Sequence, residues 1–401
     1  MDLSEENRFV RGDDWQIRML RIQIASSRRD IREFIDLPSQ IYSKFDTFVA
    51  PLRMDRGLML DPKQSAAWKR SRIRYWIARI DGQSVGRISA QIDETIPIGV
   101  ASGSGMFGCL DAIDDERVVA SLMEAARQWL EEQGCTYMYG PCSLNMNEEP
   151  GLLVEGANEP AMTLCPWHPP YLGEHLDHLG FSRVRDLHNW RLDLDQGPPA
   201  IRQGHSALSK RIPNLTVRHP SRATYAADIQ ILCDIYNDGW RDNWGFIPLA
   251  PADLAGLDQL MKWLVPREAF KIVELDGVPV AATLLIPNLF ELTRGIPPTP
   301  GPLQWLKILW RACNHRFQSG RIIITGVAYR LRGTLVGSAI ASLLVDELIA
   351  SHQALKGHWV EAGWVLENNH ALIQILERFN FRRSKTFRIY GKDTAPAPTT
   401  L

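Results

Sequence analysis

The chain spells the same run of elements twice, and that repetition limits the folds open to it more than any other feature. IARIDGQSVGRISAQID (residues 77–93) is answered by IVELDGVPVAATLLIPN (residues 272–288). Both place Asp-Gly between two alternating apolar runs, the pattern of a hairpin closed by a short turn. ASLMEAARQWLEEQGCTYMYGPC, from Ala120, is answered by ASLLVDELIASHQALKGHWVEAGWV, from Ala341: an amphipathic helix leading into a strand. YLGEHLDHLGFSRVRDLHNWRLDL, from Tyr171, is answered by LIQILERFNFRRSKTFRIYGKD, from Leu372, each a short helix, a Gly-Phe or Asn-Phe turn and a strand. Partners lie farther apart at the long helices than at the hairpins or at Phe181 and Phe381. The second copy therefore carries an insertion at 289–320 and the first copy one at 143–170. Shared elements alone would not keep both order and insertions in agreement.

These patterns predict an α/β protein with mixed sheets, built from two tandem units at 15–195 and 214–393. The Gly-Pro-Pro stretch at 196–213 is read as a linker and 394–401 as a flexible tail. A length of 401 residues suits two domains. Lys and Arg total 45 against 46 for Asp and Glu, so the chain has no basic field for a nucleic-acid backbone. The acidic start MDLSEENRFVRGDD has no signal-peptide pattern, and no run of about 18 apolar residues occurs, which points to the cytoplasm. Six cysteines form no C-x-x-C pair and are expected to be reduced and mostly buried. His175, His178 and His188 lie on a predicted helix and the strand after it. They are read as surface or packing residues, so no metal is expected.

The sharpest chemical signal is RIIITGVAYRLRGTLVGSAIASLLVDELIA, residues 321–350. A β-rich run enters a loop with Arg330, Arg332, Gly333 and Gly337, and an apolar helix follows at once. Free N–H groups, the positive end of a helix dipole and close-approach glycines then meet at one spot, which suits a pyrophosphate. Plain α/β packing also produces strand, basic loop and helix. The matching place in the first unit, GCLDAIDDER (108–117), is acidic and would repel a phosphate.

The stretch 321–350 resembles the strand, pyrophosphate loop and helix of the GNAT acyltransferases, whose signature is Arg or Gln, two residues, Gly, one residue, then Gly or Ala. Arg332 with Gly337 matches it with Leu335 in place of the first glycine; Arg330 with Gly333 matches it with Leu335 in the last position. The first register is preferred, because Gly337-Ser338 then opens the helix. The resemblance implies acyl-CoA as cosubstrate, held by Val327, Tyr329, Arg330, Arg332, Gly333, Thr334, Val336, Gly337 and Ser338. It also implies a helix-capping asparagine, Asn368 or Asn369, beside the pantetheine arm; an ordinary N-cap would look the same. Where many GNAT enzymes carry a tyrosine that protonates the departing thiolate, this chain has Leu376. Catalytic groups must come from elsewhere. Glu361 is a candidate base for the attacking amine, Tyr329 a candidate proton donor and Glu148 a further catalytic candidate, with surface or packing roles as their plainer alternatives.

The first unit holds GPCSLNMNEEPGLLVEG (140–156) and PWHPPYL (166–172). Asn145, Asn147, Glu148 and Glu149 give that segment the chemistry of a pocket for a polar head group, or of a well-bonded loop. Trp244, in the aromatic segment 235–249, belongs to the expected acceptor side. LQWLKILWRACNHRF (303–317) reads as an amphipathic helix with interleaved basic residues. Such a helix can rest on a membrane, line an acyl channel or serve as core.

FVAPLRMDRGLMLDP (48–62), the Asn-Glu-Glu segment, Asn243-Trp244-Gly245-Phe246 and KTFRIY (385–390) resemble a bacterial group of tandem GNAT-like proteins that includes the bacterial ceramide synthases. The resemblance implies transfer of a long-chain acyl group from acyl-CoA to the amine of a sphingoid base; peripheral contact with the inner membrane is a separate expectation, from the amphipathic stretch 303–317. Two other readings stay open. One is a GNAT enzyme with a small polar amine acceptor; the other is a non-catalytic binding protein made of two decayed copies, which Leu335 and Leu376 favour.

Overall fold

The computed structural model describes residues 19–61, 68, 70–195, 211–254, 265–354 and 356–395. Most of the expected linker and residues 396–401 lie outside that set. The first half runs β1 (Leu20–Ile24), α1 (Arg28–Ile41), α2 (Arg53–Leu60), β2 (Ser71–Ile80), β3 (Gln83–Asp93), β4 (Ser104–Ala112), α3 (Glu116–Glu132) and β5 (Tyr137–Gly140). It continues through β6 (Cys142–Ser143), β7 (Glu149–Pro150), β8 (Leu152–Glu155), α4 (Tyr171–His178) and β9 (Ser182–Asp193). The second half runs β10 (Leu215–Arg218), α5 (Tyr225–Trp240), β11 (Phe270–Leu275), β12 (Val278–Pro287), α6 (Phe290–Thr293), α7 (Pro302–Asn314) and β13 (Ser319–Val327). It closes with α8 (Leu335–Ala354), β14 (Trp359–Leu366), α9 (His370–Arg378) and β15 (Arg382–Asp393).

Local chemistry sets these elements in matched pairs. Both Asp-Gly turns put two consecutive residues in the left-handed region, Asp81 and Gly82 at φ 51° and 83°, Asp276 and Gly277 at 54° and 75°. That is what a two-residue hairpin turn compatible with strand twist requires. Helices α4 and α9 both stop at a left-handed residue, Gly180 (φ 75°) and Asn380 (φ 62°). Each is followed by a buried phenylalanine, Phe181 and Phe381, worth about 1.5–3 kcal/mol of burial apiece. Helix α3 starts where the Asp115 carboxylate accepts the Arg117 N–H at 3.0 Å, and it buries Val118, Val119, Leu122, Met123, Ala126, Trp129 and Leu130 against the sheet.

All the longer strands join one sheet in the order β1-β2-β3-β4-β5-β15-β9-β14-β13-β12-β11-β10, with β8 also on β15. The two units stand side by side, and each completes its half of the sheet with the other's final strand. β15, from the end of the chain, pairs with β5 of the first half, and β9 pairs with β14 of the second. β9 and β15 then pair with each other antiparallel, from Arg382 opposite Arg191 to Gly391 opposite Ser182. Thr394, just past β15, is buried, with its hydroxyl donating to the Cys135 carbonyl at 2.6 Å. Helix α8 is long and apolar enough by composition to cross a membrane. It is instead core, with Ile340, Leu344, Leu348 and Ile349 buried over the second half of the sheet.

Candidate active site

Each half contains one pair of parallel strands that part company. In the second half, β13 and β14 pair only over Ser319 to Ile322 opposite Trp359 to Ala362, and then diverge. The diverging ends lie between the loop that opens α8 and the first half's β9. In the first half, β4 and β5 pair over Ser104 to Met106 and then separate, but the chain itself closes that opening. The Cys109 N–H donates to the Ser143 hydroxyl at 3.1 Å, and a Cβ on Gly108 would lie 2.2 Å from the Cys142 carbonyl oxygen. The start of α3 beside it is ringed by Asp114, Asp115 and Glu116, the last paired with His178 at 3.1 Å. Acidic charge and close packing at that helix start both disfavour an anion there.

The second half's loop has the opposite character. Val327 ends β13, a single turn at Tyr329–Leu331 follows, and Thr334 caps α8 by accepting the Gly337 N–H at 3.0 Å. The N–H groups at the start of a helix have no intrahelical partner, and those of Leu335 and Val336 open this one. Gly337 is buried against the preceding turn, where a Cβ would sit 2.1 Å from the Leu331 carbonyl oxygen. Arg330, Arg332, Gly333, Thr334 and Ser338 are exposed, and Val336 is half-buried. Arg332 reaches Asp242 at 3.3 Å. The Tyr329 ring lies 3.6 Å beneath the Arg241 guanidinium, and its N–H donates to Asp238 at 2.6 Å. Asn369, not Asn368, caps α9, with its side chain accepting the Leu372 N–H at 3.3 Å; Asn368 is exposed in the preceding turn. Leu376 is in the core.

The Asn-Glu-Glu segment of the first half reaches across to the second. Asn145 is buried and structural: its carbonyl oxygen accepts the N–H groups of Asn147 at 2.7 Å and Glu148 at 3.1 Å. Asn147 donates to the Ile247 carbonyl at 3.3 Å and accepts from the Tyr236 hydroxyl at 3.3 Å. Tyr236 stacks on Trp240, whose indole N–H donates to the Thr325 carbonyl of β13, beyond the point where β13 leaves β14. Trp244 donates to the Gly99 carbonyl at 3.2 Å and lies under Arg185.

Glu148 itself is half-buried, and its carboxylate has no hydrogen-bond donor among the described residues. Burial, reinforced by the like charge of Glu149, pushes its carboxyl up to about 7. Glu149 faces the other way. Burial works to raise it, but the Arg56 guanidinium, bonded at 2.7 and 2.6 Å, more than offsets this and holds it below the usual glutamate value. Adjacent carboxylates thus have opposite electrostatics, one fixed as an anion and one poised near neutrality.

Glu361 is neither in the gap nor at the surface. It is fully buried, accepting from Lys385 Nζ at 2.7 Å and Asn189 Nδ2 at 2.7 Å, with the Cys165 thiol at 3.7 Å. The sequence places it correctly on a strand beside the gap, but it cannot show that a lysine of the exchanged strand β15 neutralises it. Arg321, opposite it in register, is also buried, giving hydrogen bonds to the Thr163 and Gly363 carbonyls at 3.2 Å.

Glu149 opens onto a pocket of about 60 Å³. It is lined by apolar side chains, among them Phe48, Pro51, Trp167 and Phe290, and by the Arg56–Glu149 and Arg87–Asp111 pairs, His168 and Lys385. The Leu153 N–H donates to His168 Nδ1 at 3.1 Å, which leaves the imidazole proton on Nε2. Sequence reading missed Arg56, Arg87, His168 and Lys385. The only signal was that the stretches 48–62, 166–172 and 385–390, quoted above, contain three of them. Of the three histidines grouped from sequence, His188 is separate and buried beside Thr386. His175 and His178 meet Glu116 and Asp114 on the outer side of α3. Five of the six cysteines are buried, and none is bridged.

No protein-family model matches the chain. It is 34% identical over 373 residues to Protein YghO of Escherichia coli, spanning 91% of this chain and 93% of that protein. It is 31% identical over 365 residues to the bacterial ceramide synthase of Caulobacter vibrioides, spanning 90% and 94%. Among solved structures it resembles a tandem GNAT protein from the clavulanic acid biosynthesis pathway, with TM-score 0.54 and 13% identity over 95% of this chain and all of that one. It also resembles a GCN5-related N-acetyltransferase from Sphaerobacter thermophilus, with TM-score 0.52 and 11% identity over 94% and 97%. The two structures share the fold, and the two sequence relatives cover both halves. The chain therefore belongs to the family of tandem GNAT-like acyltransferases that includes the bacterial ceramide synthases.

Proposed function

We propose that this GNAT-type acyltransferase moves a long-chain acyl group from acyl-CoA to the amine of a sphingoid base, with Glu148 as general base. The observation that carries the mechanism is the unbonded Glu148 carboxyl, poised near 7, on a segment that Asn147, Tyr236 and Trp240 link to β13 at the gap. The pyrophosphate is assigned to the loop at 329–338, where Arg330, Arg332 and the opening N–H groups of α8 supply positive potential. The thioester then enters between β13 and β14. Glu148 takes a proton from the acceptor ammonium, and the neutral amine attacks the thioester carbonyl. As the tetrahedral intermediate collapses to the amide its nitrogen loses a second proton, which restores the donor that protonates the departing thiolate, and free CoA leaves. Tyr329 is the candidate for that donor, held in place by Arg241. Glu361 is assigned to structure, because its buried pair with Lys385 would have to break before it could act as a base.

The acceptor class rests on the 31% identity to the Caulobacter enzyme. The test is incubation of the purified chain with palmitoyl-CoA or acetyl-CoA and sphinganine, following CoA release and the N-acyl product by mass spectrometry. Product from the long-chain donor alone supports the reading. CoA release with other amines only would replace the acceptor, and no CoA binding at all would return the chain to a non-catalytic role.

A further inference from the structure

The pocket beside Glu149 holds a few water molecules or a small polar group, at about 60 Å³. A hydrocarbon tail attached to such a head group must lie outside it. Next to the pocket the surface is unusually apolar. Helix α7 turns Leu303, Leu306, Leu309 and Trp310 outward at 80, 61, 59 and 66% exposure, while Trp305 and Ile308 on its other side pack with Leu52 and Ile296. The spacing of the four is that of one helical stripe. Adjoining α2 exposes Met54 and Leu58, one turn apart, and is tied to the foot of α7 by the Arg53 N–H donating to the Pro298 carbonyl at 2.8 Å. Six of the twelve large hydrophobic side chains exposed among the described residues are on these two helices. The stripe is thus concentrated rather than part of ordinary surface scatter.

The charges on α7 are of one sign, whereas α2 carries Asp55 and its Arg53 and Arg56 are paired with Asp36 and Glu149. Residues 302–317 contain Lys307, Arg311 and Arg316 and no acid. Arg311 donates to the Leu292 and Arg294 carbonyls at 2.7 and 3.0 Å, and neither Lys307 nor Arg316 has a carboxylate partner among the described residues. An outward tryptophan and leucines flanked by unneutralised cations match the interface of an anionic bilayer, with apolar side chains in the acyl boundary and cations at the headgroups. A second copy of the chain would bring the same cations face to face. Pro51 and Phe290, which line the pocket, precede α2 and begin α6, so the ridge adjoins the pocket lining.

We propose that the α2–α7 ridge seats the protein peripherally on an anionic membrane, with the pocket at the bilayer edge. A lipid acceptor then presents its head group while its tail stays in the membrane. The tail argument rests on the acyltransferase reading; the ridge and its charge do not. The test is co-sedimentation of the full chain, without substrates, with phosphatidylglycerol–phosphatidylethanolamine vesicles and with phosphatidylcholine vesicles, alongside gel filtration. Wild type is expected to bind the anionic vesicles, less at high salt. Leu306→Ser/Trp310→Ser should weaken binding roughly tenfold or more, and Lys307→Glu/Arg316→Glu should weaken it on anionic vesicles only. Circular dichroism reports on folding, and calorimetric CoA binding without vesicles reports on the acyltransferase reading, each separately from membrane binding. Absent binding, binding unchanged in the Leu306/Trp310 variant, or a wild-type dimer that this variant dissociates would each overturn the proposal.

Discussion

Replacing Glu148 by Gln removes a carboxyl that the fold holds in its neutral form, so the variant should gain stability while losing turnover. The carboxyl is raised from an ordinary value of 4.5 to about 7 by burial and by Glu149. At about 1.4 kcal/mol per pH unit, ionising it in the folded protein costs at most about 3.5 kcal/mol relative to the unfolded chain. Its partial solvent contact brings the expected value to about 1–3 kcal/mol. The sign follows from the raised value. Below pH 4.5 the group is protonated in both states and contributes nothing; as pH rises towards 7 the unfolded chain ionises first, and stability falls. Above pH 7 the full penalty is present. Glu148→Gln should therefore match wild type near pH 4.5 and exceed it by about 1–3 kcal/mol at pH 8.5 in urea melts. In wild type, kcat/KM should rise with pH through about 7 as the base loses its proton; in the variant, turnover should fall by about 10²–10⁴ with CoA affinity unchanged. A stability difference that does not grow between pH 4.5 and 8.5 would show that Glu148 titrates as an ordinary glutamate and would refute the assignment.

Lys385→Met leaves Glu361 buried without its cation and should cost about 3–5 kcal/mol in denaturant melts, most of it recovered in Glu361→Gln/Lys385→Met. If Glu361 is structural, the pH dependence of the remaining transfer activity in that double variant is unchanged from wild type. Gly337→Val drives a side chain into the Leu331 carbonyl and should raise the calorimetric Kd for CoA about tenfold or more with little change in circular dichroism. Arg332→Ala should raise it a few-fold, with a difference that shrinks as salt is added. A chain of residues 211–401 alone leaves β14 and β15 without β9 between them; it should not fold as a monomer and should regain a cooperative melt when co-expressed with residues 1–210.

Local chemistry alone settled a large share of the fold. Asp-Gly between alternating apolar runs can close only a tight hairpin, and the stops at Gly180 and Asn380 mark the same helix end in both copies. Duplication was legible because each copy repeats these short-range instructions. The cap and glycines of the loop at 329–338 were legible for the same reason: a strand, a basic turn and a helix start are contiguous in the chain.

The site itself depended on contacts between residues far apart in sequence, and those no local pattern specifies. Glu361 looked free until Lys385, on the strand exchanged between halves, was found 2.7 Å away. Glu148 and Glu149 are neighbours in sequence with the same side chain, yet Arg56 fixes one as an anion and burial keeps the other near neutrality. The sequence determined that there are two copies of one unit and which copy carries the basic, glycine-bearing loop, because backbone preferences and charge act over a few residues. Only the tertiary structure decided which strand completes which half, which carboxylate is paired and where the apolar face of α7 points. Pairing, desolvation and exposure are properties of the packed whole.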